Sequence, residues 1–388
     1  MFRLLKSLLS TDFQHLAAGE RAKPDFSSHS YRTARTRDTP KCGAAGQKAG
    51  RNEAHVKIAR CSHNYKRMNE LSKDAVNWLT VDEASVGQRV DNYLGKMLKG
   101  VPKSHIYRIL RSGEVRVNKG RVKPDARLIL GDLVRVPPVR TALRLDLAPP
   151  AASSPRLSVL FEDDEILAVD KPAGLAVHGG SGVAYGLIEH MRAARPSAKF
   201  LELVHRLDRD TSGVILLAKR RAALVALHAQ LRAGDFDKRY LVLVRGKWRD
   251  AKRRVTLALH KFATREGERR VRVEDDGQAA ETIFHRRHAW PLLVPPLALL
   301  EAELRTGRTH QIRVHLTHLG FPVAGDDKYG DFAWNRILRK QGLKRMFLHA
   351  HSLAFAHPLT GERVALASPL AADLAAFVAR TNAETTGA

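Results

Sequence analysis

Residues 203–213, which read LVHRLDRDTSG, place charged and hydroxyl side chains between two apolar segments. The stretch contains two carboxylates, two guanidinium groups, an imidazole and two hydroxyls. Leu201 precedes it, Leu203 and Val204 begin it, and the run VILLA at residues 214–218 follows it, so part of it is expected to be buried. Burying unpaired charges costs several kcal/mol, and such a segment therefore requires either structural ion pairs or a function.

A second charged stretch, RTGRTHQIRVH at residues 305–315, lies about 100 residues further along the chain. Thr306 and Gly307 predict a turn, and QIRVH after them is expected to be extended, with alternate side chains on one side. An arginine of this stretch that meets an aspartate of the first would lower the pKa of the carboxyl group and hold it ionised. An ionised, oriented carboxylate in an enclosed site can act as a nucleophile.

The composition indicates which partners the chain binds. Its 388 residues include 66 lysines and arginines against 40 aspartates and glutamates, a formal net charge of +26. This excess favours a polyanion, with nucleic acid as the first candidate and an anionic membrane as the second. No apolar run approaches the ~18 residues of a membrane span. The only cysteines are Cys42 and Cys61, which favours a reducing, cytoplasmic location.

The chain is predicted to divide into four segments. Residues 1–75 are polar and basic without a regular hydrophobic period, which predicts a disordered tail. Residues 80–140 predict two short helices followed by a small β element. Prolines and small residues at 141–156 are typical of a linker. Residues 157–381 contain closely spaced strand-like runs with helices between or beyond them, which predicts an α+β domain with a largely antiparallel mixed sheet.

The module at residues 80–140 is predicted to carry a basic surface. Its second helix is expected to begin near Pro102 with Ser104 as its cap, and a strand pair is expected around Gly131 and Asp132. Basic side chains that cluster in this module are candidates for RNA contacts: Lys103, His105, Arg108, Arg111, Arg116 and Lys119.

The two charged stretches also permit other kinds of site. His205, Asp208, His310 and His315 could hold a metal, although the neighbouring arginines would repel a cation. Asp208 and Asp210 could form a glycosidase pair, but nothing else in the sequence supports sugar processing. The chain lacks both the GxxxxGK[ST] phosphate loop and the G-x-S-x-G hydrolase elbow. We therefore expect no metal, nucleotide or other cofactor.

Short motifs follow one another in a defined order along the chain. They are KPAGLAVH at 171–178, HRLD at 205–208, TSG at 211–213, KRYL at 238–241, GRTHQIRVH at 307–315, GDDKYG at 325–330 and LHA at 348–350. This series resembles the RluA-type family of pseudouridine synthases. The module before it resembles an S4 RNA-binding domain, through GQRVD at 87–91, GEVRVN at 113–118 and GD at 131–132.

Several further motifs resemble the C-type enzymes of this family, with the D-type relatives as the nearest alternative. They are KGVPKS at 99–104, VRVPPVR at 134–140, HGGSG at 178–182 and DRD at 208–210. The resemblance implies a monomeric enzyme that needs no cofactor and isomerises specific uridines of large-subunit (23S) ribosomal RNA to pseudouridine. An alternative in another class is a non-catalytic ribosome-binding or assembly protein. Residues 1–75 match no part of the family.

The resemblance also implies roles for individual residues. Asp208 would be the nucleophile, engaging the target nucleotide either at the ribose C1′ or on the base. Tyr240 would stack on a uridine flipped out of the RNA and assist proton removal at C5. Arg313 would pair with Asp208, and Arg206 would fill the space that the uridine leaves. Further candidate substrate-binding residues are His205, Arg209, Thr211, His310 and Gln311.

Overall fold

The computed structural model describes residues 72, 74–98, 100–139, 157–179, 185–264 and 268–386. The tail predicted at 1–75 lies almost entirely outside these residues, and the linker predicted at 141–156 lies wholly outside them.

Seven helices and sixteen strands lie in the described residues. The helices are α1 (Val90–Met97), α2 (Lys103–Arg111), α3 (Leu187–Ala193), α4 (Arg221–Ala233), α5 (Gln311–His318), α6 (Phe332–Lys340) and α7 (Ala372–Thr386). The strands are β1 (Asn77–Thr80), β2 (Arg116–Val117), β3 (Gly120–Arg121), β4 (Leu133–Val136), β5 (Ser158–Glu162), β6 (Ile166–Lys171), β7 (Glu202–Leu203), β8 (Ser212–Ala218), β9 (Asp237–Arg245), β10 (Lys252–Thr256), β11 (Leu259–Ala263), β12 (Arg269–Val273), β13 (Glu281–Trp290), β14 (Leu297–Leu304), β15 (Leu348–Ala356) and β16 (Arg363–Ala367).

The first group of elements is a small module of α1, α2 and an antiparallel sheet of order β1-β4-β2-β3. The helices bury apolar residues three and four positions apart against this sheet. Asn118 and Lys119 both have positive φ, 50° and 69°, in the turn between β2 and β3. These two residues form the turn, and its mirror-image backbone suits a two-residue hairpin.

Two local predictions for this module are wrong. Ser104 lies inside the first turn of α2, whose N-cap is Pro102, because proline fixes the φ angle with which the helix begins. The strand pair expected around Gly131 reduces to β4, which pairs with β1 and β2. Between β3 and Gly131 the chain forms only an isolated bridge, from Arg127 to Arg89. The strand partner that β4 needs comes from β1.

The larger domain is built on a ten-stranded sheet. Its main path runs β10-β13-β14-β9-β15-β8-β6-β5, with β16 paired to β15 and β7 to β8. Only the pairing of β15 with β8 is parallel among the described strands. The α+β class with a largely antiparallel sheet is thus confirmed. The last helix, α7, runs five positions past the domain end predicted at residue 381.

The large sheet separates two apolar layers. Even-numbered side chains of β14 pack against α5, whereas the odd-numbered side chains at its start pack against α6 and α7. This division follows from the alternation of side chains along a strand. Of the helices in the described residues, none combines the length and apolarity needed to cross a bilayer. The polar site described next lies on the α5 side, where β14 ends.

Candidate active site

Asp208 lies in the loop between β7 and β8, and a buried lysine holds this loop in place. Lys171, at the end of β6, is fully buried and donates hydrogen bonds from Nζ to the carbonyls of Pro172, Leu175 and Arg209 at 2.8–2.9 Å. Burial lowers the pKa of Lys171 to about 7. The lysine joins the loop after β6 to the loop that carries Asp208, a contact that the sequence analysis did not assign.

Gly213 fixes the other end of the same loop. Its φ is +111°, and a Cβ at this position would lie 2.1 Å from the carbonyl oxygen of Ala350. Both the backbone conformation and the close approach of β15 therefore require glycine. The TSG motif thus ends the Asp208 loop where β8 runs parallel to β15.

Arg313 lies on helix α5, so the extended conformation expected for QIRVH is wrong. The helix begins at Gln311, directly after His310, which has a φ of 53°. Gln311 accepts a hydrogen bond from the backbone N–H of Arg308 and donates one to the carbonyl of Glu281, both at 2.9 Å. A five-residue segment fits either a strand or a helix, and these tertiary contacts decide between them.

Arg313 connects two aspartates. Its Nη1 donates to Asp208 Oδ2 at 3.0 Å, while Nε and Nη2 donate to the two carboxylate oxygens of Asp326 at 2.7 and 2.8 Å. The side chains of Arg313 and Asp326 are 10% and 0% exposed, whereas that of Asp208 is 27% exposed. Asp208 is therefore the carboxylate of this three-residue cluster that solvent or substrate can reach, and the buried Arg313–Asp326 pair holds it in place.

The charges in this cluster stabilise one another. Burial alone would lower the pKa of Arg313, but Asp326, with a smaller contribution from Asp208, raises it above its ordinary value. Burial would raise the pKa of Asp326, but the hydrogen bonds and charge of Arg313 lower it. Arg313 and Asp326 are thus both charged at neutral pH. Sequence reasoning quoted Asp326 only as part of the GDDKYG block and missed its contact with Arg313.

His310 and Tyr329 complete the surroundings of Asp208. The Tyr329 hydroxyl accepts a hydrogen bond from the backbone N–H of Val271 at 3.0 Å and lies 2.8 Å from His310 Nδ1. His310 Nε2 lies 3.8 Å from Asp208 Oδ1. The Arg313 guanidinium lies over the Tyr329 ring, 5.0 Å from its centroid.

A cavity of about 630 Å³ opens on one side of Asp208. Tyr240 lies in its wall on β9, between Ala302 of β14 and Ala350 of β15, and is 8% exposed. Burial, and then the charge of Asp208, raise the pKa of Tyr240 above its ordinary value, so the phenol keeps its proton at neutral pH. Apolar side chains that line the same cavity are Leu207, Leu304, Ile312 and Leu348.

A second cavity, of about 540 Å³, lies on the other side of Asp208 and is mainly polar. Asp208, Arg206, His310 and Arg313 line both cavities. Further basic residues around the second cavity are Arg209, Lys328, Lys344 and Arg345. The Asp208 carboxylate is therefore accessible from a partly apolar cavity with an aromatic ring and from a cavity rich in cations.

The other predicted substrate-binding residues near Asp208 differ in their exposure. Arg206 and Arg209 are exposed, and Arg209 forms an ion pair with Asp210 at 3.3 Å. His205 is partly buried, and its Nε2 accepts a hydrogen bond from the backbone N–H of Leu216 at 3.2 Å. Burial, and then the charge of Lys238, lower the pKa of His205 to about 4, so the ring is neutral at pH 7. Only the two arginines present unburied side chains to a ligand.

Thr211 and Gln311 are both 2% exposed, although both line the larger cavity. The Gln311 amide also contacts the hydroxyls of Thr306 and Thr282 at 2.8 and 2.9 Å. Its hydrogen bonds within the protein support a structural role at the start of α5. An RNA contact by either residue stays a prediction.

The basic residues predicted to contact RNA in the small module are all on its surface. Exposed side chains are those of Lys103, Arg108, Arg111, Arg116 and Lys119, and that of His105 is partly buried. Arg108 lies 3.4 Å from Glu114, an exposed pair that contributes little to stability. The guanidinium and ammonium groups of this surface are accessible to a phosphate backbone.

The metal site considered from the sequence does not form. The imidazoles of His205 and His315 are each occupied by hydrogen bonds to other groups. In the part of the chain that the structure describes, one group of three possible metal ligands has its ligand atoms close together: His260, Glu274 and Asp276. This group lies at the β11–β12 hairpin and the turn after it, and it includes neither Asp208 nor Arg313.

Asp208, held by the buried Arg313, thus lies between two cavities on a strongly basic chain. Residues 165–318 match the family model for RNA pseudouridylate synthase, and residues 88–134 match the S4 domain. The chain is 50% identical over 314 residues to "Ribosomal large subunit pseudouridine synthase C" of Pasteurella multocida, covering 79% of this chain and 94% of that protein.

The protein of the same name from Escherichia coli K12 is 52% identical over 304 residues, which cover 75% of this chain and 92% of that protein. Among solved structures, Human RNA Pseudouridylate Synthase Domain Containing 1 is 26% identical with a TM-score of 0.47, covering 57% of this chain and 86% of that one. The chain belongs to the RNA pseudouridylate synthase family and is an RNA pseudouridine synthase with an S4 domain. The family and the S4 domain predicted from the motifs are confirmed.

Proposed function

We propose that this enzyme converts specific uridines of large-subunit ribosomal RNA to pseudouridine, with Asp208 as the nucleophile. The relatives at about 50% identity are named as enzymes of that RNA, which supports the substrate. The observation that carries the assignment of Asp208 is its 3.0 Å hydrogen bond from Arg313 at the junction of two cavities. Arg313 orients the carboxylate at this junction for attack on a nucleotide.

The reaction replaces one glycosidic bond by another. The N1–C1′ bond breaks, the C5–C1′ bond forms, C5 loses its proton and N1 gains one. Neither face of a stacked base is accessible to Asp208, so the uridine has to be flipped out of the RNA into the larger cavity. A covalent bond between Asp208 and the nucleotide then retains the intermediate while the detached base turns, and its cleavage restores the carboxylate.

Tyr240 is proposed to stack on the flipped base. It is buried beside Asp208, and a protonated phenol presents a neutral aromatic face to the uracil ring. Because its raised pKa disfavours the phenolate, stacking is the role that the surroundings of Tyr240 support best. Assistance in removing the C5 proton is a second role, which Tyr240→Phe separates from stacking.

Polar and basic side chains around the cavities are proposed to hold the RNA. Arg206 lines both cavities and is exposed, so it is placed to fill the gap that the uridine leaves. Arg209 and His310 lie at the second cavity and are proposed to contact the nucleotides next to the target. The S4 module is proposed to select the site by RNA shape. The enzyme is proposed to act as a monomer without a metal or nucleotide cofactor.

Tritium release from large-subunit RNA transcribed with [5-³H]uridine tests this function. The unaltered enzyme should release tritium and leave pseudouridine at discrete positions. Asp208→Asn and Asp208→Ala should each lower the single-turnover rate by on the order of a thousandfold or more, as expected for loss of a nucleophile. Asp210→Asn is the matched control, because Asp210 pairs only with the exposed Arg209 among the described residues, and it should be much milder.

Asp208→Asn with a near-normal single-turnover rate would contradict the assignment of the nucleophile. An unaltered enzyme that binds the RNA but releases no tritium would favour a non-catalytic ribosome-binding protein.

A further inference from the structure

Lys238 is a basic residue of the larger cavity that has no hydrogen-bond or ion-pair partner among the described residues. It lies on β9 two positions before Tyr240, so both side chains point to the same face of the sheet and line the cavity. Its Nζ lies 3.6 Å from the position that a Cβ on Gly307 would occupy, at the turn after β14. Among the described residues, none accepts a hydrogen bond from this ammonium group or forms an ion pair with it.

Arg239, the next residue on β9, has carboxylate partners, in contrast to Lys238. Arg239 faces the opposite side of the sheet, where it contacts Asp237 at 3.0 Å and Glu301 at 2.9 Å. Lys238 is also partly buried, and burial lowers its pKa without any compensating carboxylate. A partly buried cation without a counter-ion is energetically unfavourable, so the position is suited to an anion supplied by a ligand.

The surroundings of Lys238 indicate the class of that anion. The basic residues that line the same cavity are Arg206, Arg232, Arg305, Arg308 and Arg313. Asp208 is the only carboxylate that lines it among the described residues, and its Oδ2 is already bonded to Arg313. Arg305 is paired with Glu303 at 2.6 Å and Arg313 with Asp326, but the other lining cations still outnumber the lining carboxylate among the described residues. A phosphodiester is the anion that an RNA substrate brings to this position.

We propose that Lys238 binds a backbone phosphate adjacent to the flipped uridine and so fixes the depth at which the base enters the cavity beside Tyr240. The proposal rests on the proposed function, because it needs a flipped nucleotide. The ammonium group donates to a non-bridging phosphate oxygen, which gives it the counter-ion that the described part of the chain does not supply. Lys238 then acts in binding and positioning, and it takes no part in proton transfer.

Three variants of the full-length protein test the role of Lys238. Lys238→Met removes the charge at similar size, Lys238→Arg keeps a donor that can bind phosphate, and Lys340→Met removes an exposed charge on α6 as a control. Lys238→Met should weaken binding of large-subunit RNA roughly ten- to hundredfold and reduce the salt slope by about 0.7. It should not lower the melting temperature, because it removes an unpaired charge. Lys238→Arg should recover most of the affinity.

A neutral methylphosphonate linkage identifies the phosphate itself. It is introduced singly on the 5′ and 3′ sides of the target uridine, in a synthetic fragment of the RNA that the unaltered enzyme modifies. At one of the two positions the linkage should weaken binding to the unaltered enzyme by as much as Lys238→Met weakens binding to RNA with ordinary phosphates. With Lys238→Met the same linkage should cause no further loss, because the contact is already absent.

Three results would overturn the proposal. Lys238→Met could bind RNA as tightly as Lys340→Met, or the losses of affinity from Lys238→Met and from the methylphosphonate could multiply at both linkage positions. Lys238→Arg could also bind normally but react as slowly as Lys238→Met at saturating RNA. The last would assign Lys238 to proton transfer. Affinity is measured by direct binding, so tritium release by the unaltered enzyme remains a separate test of the proposed function.

Discussion

Arg313 Nη1 donates a hydrogen bond to Asp208 Oδ2 at 3.0 Å across 105 positions of sequence. The same guanidinium forms a bidentate pair with Asp326, which is fully buried. Two of its three donor groups thus hold Arg313 in the protein, and the third orients Asp208. The carboxylate keeps its direction toward the cavities because the arginine behind it cannot turn away.

Asp326→Asn should lower turnover although no described hydrogen bond or ion pair joins Asp326 directly to Asp208. The amide cannot accept both hydrogen bonds from Arg313, so the arginine loses its fixed orientation. We expect a fall in single-turnover rate with RNA affinity little changed, and a loss of stability of about 3–5 kcal/mol. Asp327→Asn is the control, since Asp327 is exposed and pairs only with Arg339 among the described residues. Equal rates for the two variants would show that the Arg313–Asp326 pair does not support catalysis.

Tyr240→Phe should preserve RNA binding and slow the reaction, while Tyr240→Ala should impair both. Phenylalanine keeps the aromatic face but lacks the hydroxyl, whereas alanine also removes the stacking, worth about 1–3 kcal/mol. The measurement compares dissociation constants with single-turnover rates for both variants. Normal turnover by Tyr240→Phe would exclude the hydroxyl from proton removal and leave stacking as the sole role.

The stability of the domain should depend on pH through His205. Its folded-state pKa of about 4 lies below the ordinary 6.5, so the unfolded chain binds the proton first as the pH falls. Stability from this group is complete above pH 6.5 and is lost between about pH 6.5 and 4, by at most roughly 3 kcal/mol. Protonation would also remove the acceptor for the Leu216 N–H.

His205→Gln should flatten the stability curve in this window, because glutamine offers an acceptor that does not titrate. Exposed His318→Gln is the control and should keep the wild-type slope. Urea unfolding at a series of pH values measures both. A His205→Gln curve parallel to that of the unaltered protein would show that His205 does not contribute to the pH dependence.

The basic surface of the S4 module should set affinity rather than chemistry. A variant with glutamine at five exposed positions should bind large-subunit RNA more weakly, with the salt slope reduced by up to about 0.7 to 0.9 per lost phosphate contact. The replaced residues are Lys103, Arg108, Arg111, Arg116 and Lys119. Its single-turnover rate at saturating RNA should change little, since Asp208 and Arg313 are untouched. An unchanged affinity and pattern of modified sites would leave this surface without the proposed role.

Activity should persist in excess EDTA once the RNA is folded. The proposed steps use a carboxylate, an arginine and a tyrosine of the chain, and no described group of metal ligands includes Asp208. The rate is measured before and after chelation, with RNA folding monitored in parallel. Loss of activity that one divalent ion restores, without a change in RNA structure, would contradict this mechanism.

The sequence by itself determined the class of fold and the family, and it predicted the principal site residues. The alternating and continuous apolar runs predicted most strands of the large sheet, because side-chain periodicity follows directly from strand geometry. The ordered motifs around Asp208 and Arg313 identified the family, and the charge of +26 indicated a polyanionic partner. These features are local or compositional, so they can be read without knowing which segments meet.

Only the tertiary structure decided which groups in the site are paired. It placed QIRVH in a helix and Asp326 behind Arg313. It also showed that Lys238 has no partner among the described residues, while its neighbour Arg239 is paired on the other face of the sheet. Such distinctions depend on contacts between residues far apart in the chain and on how much water each group retains. Sequence spacing carries neither quantity, because burial and pairing arise only when the strands assemble.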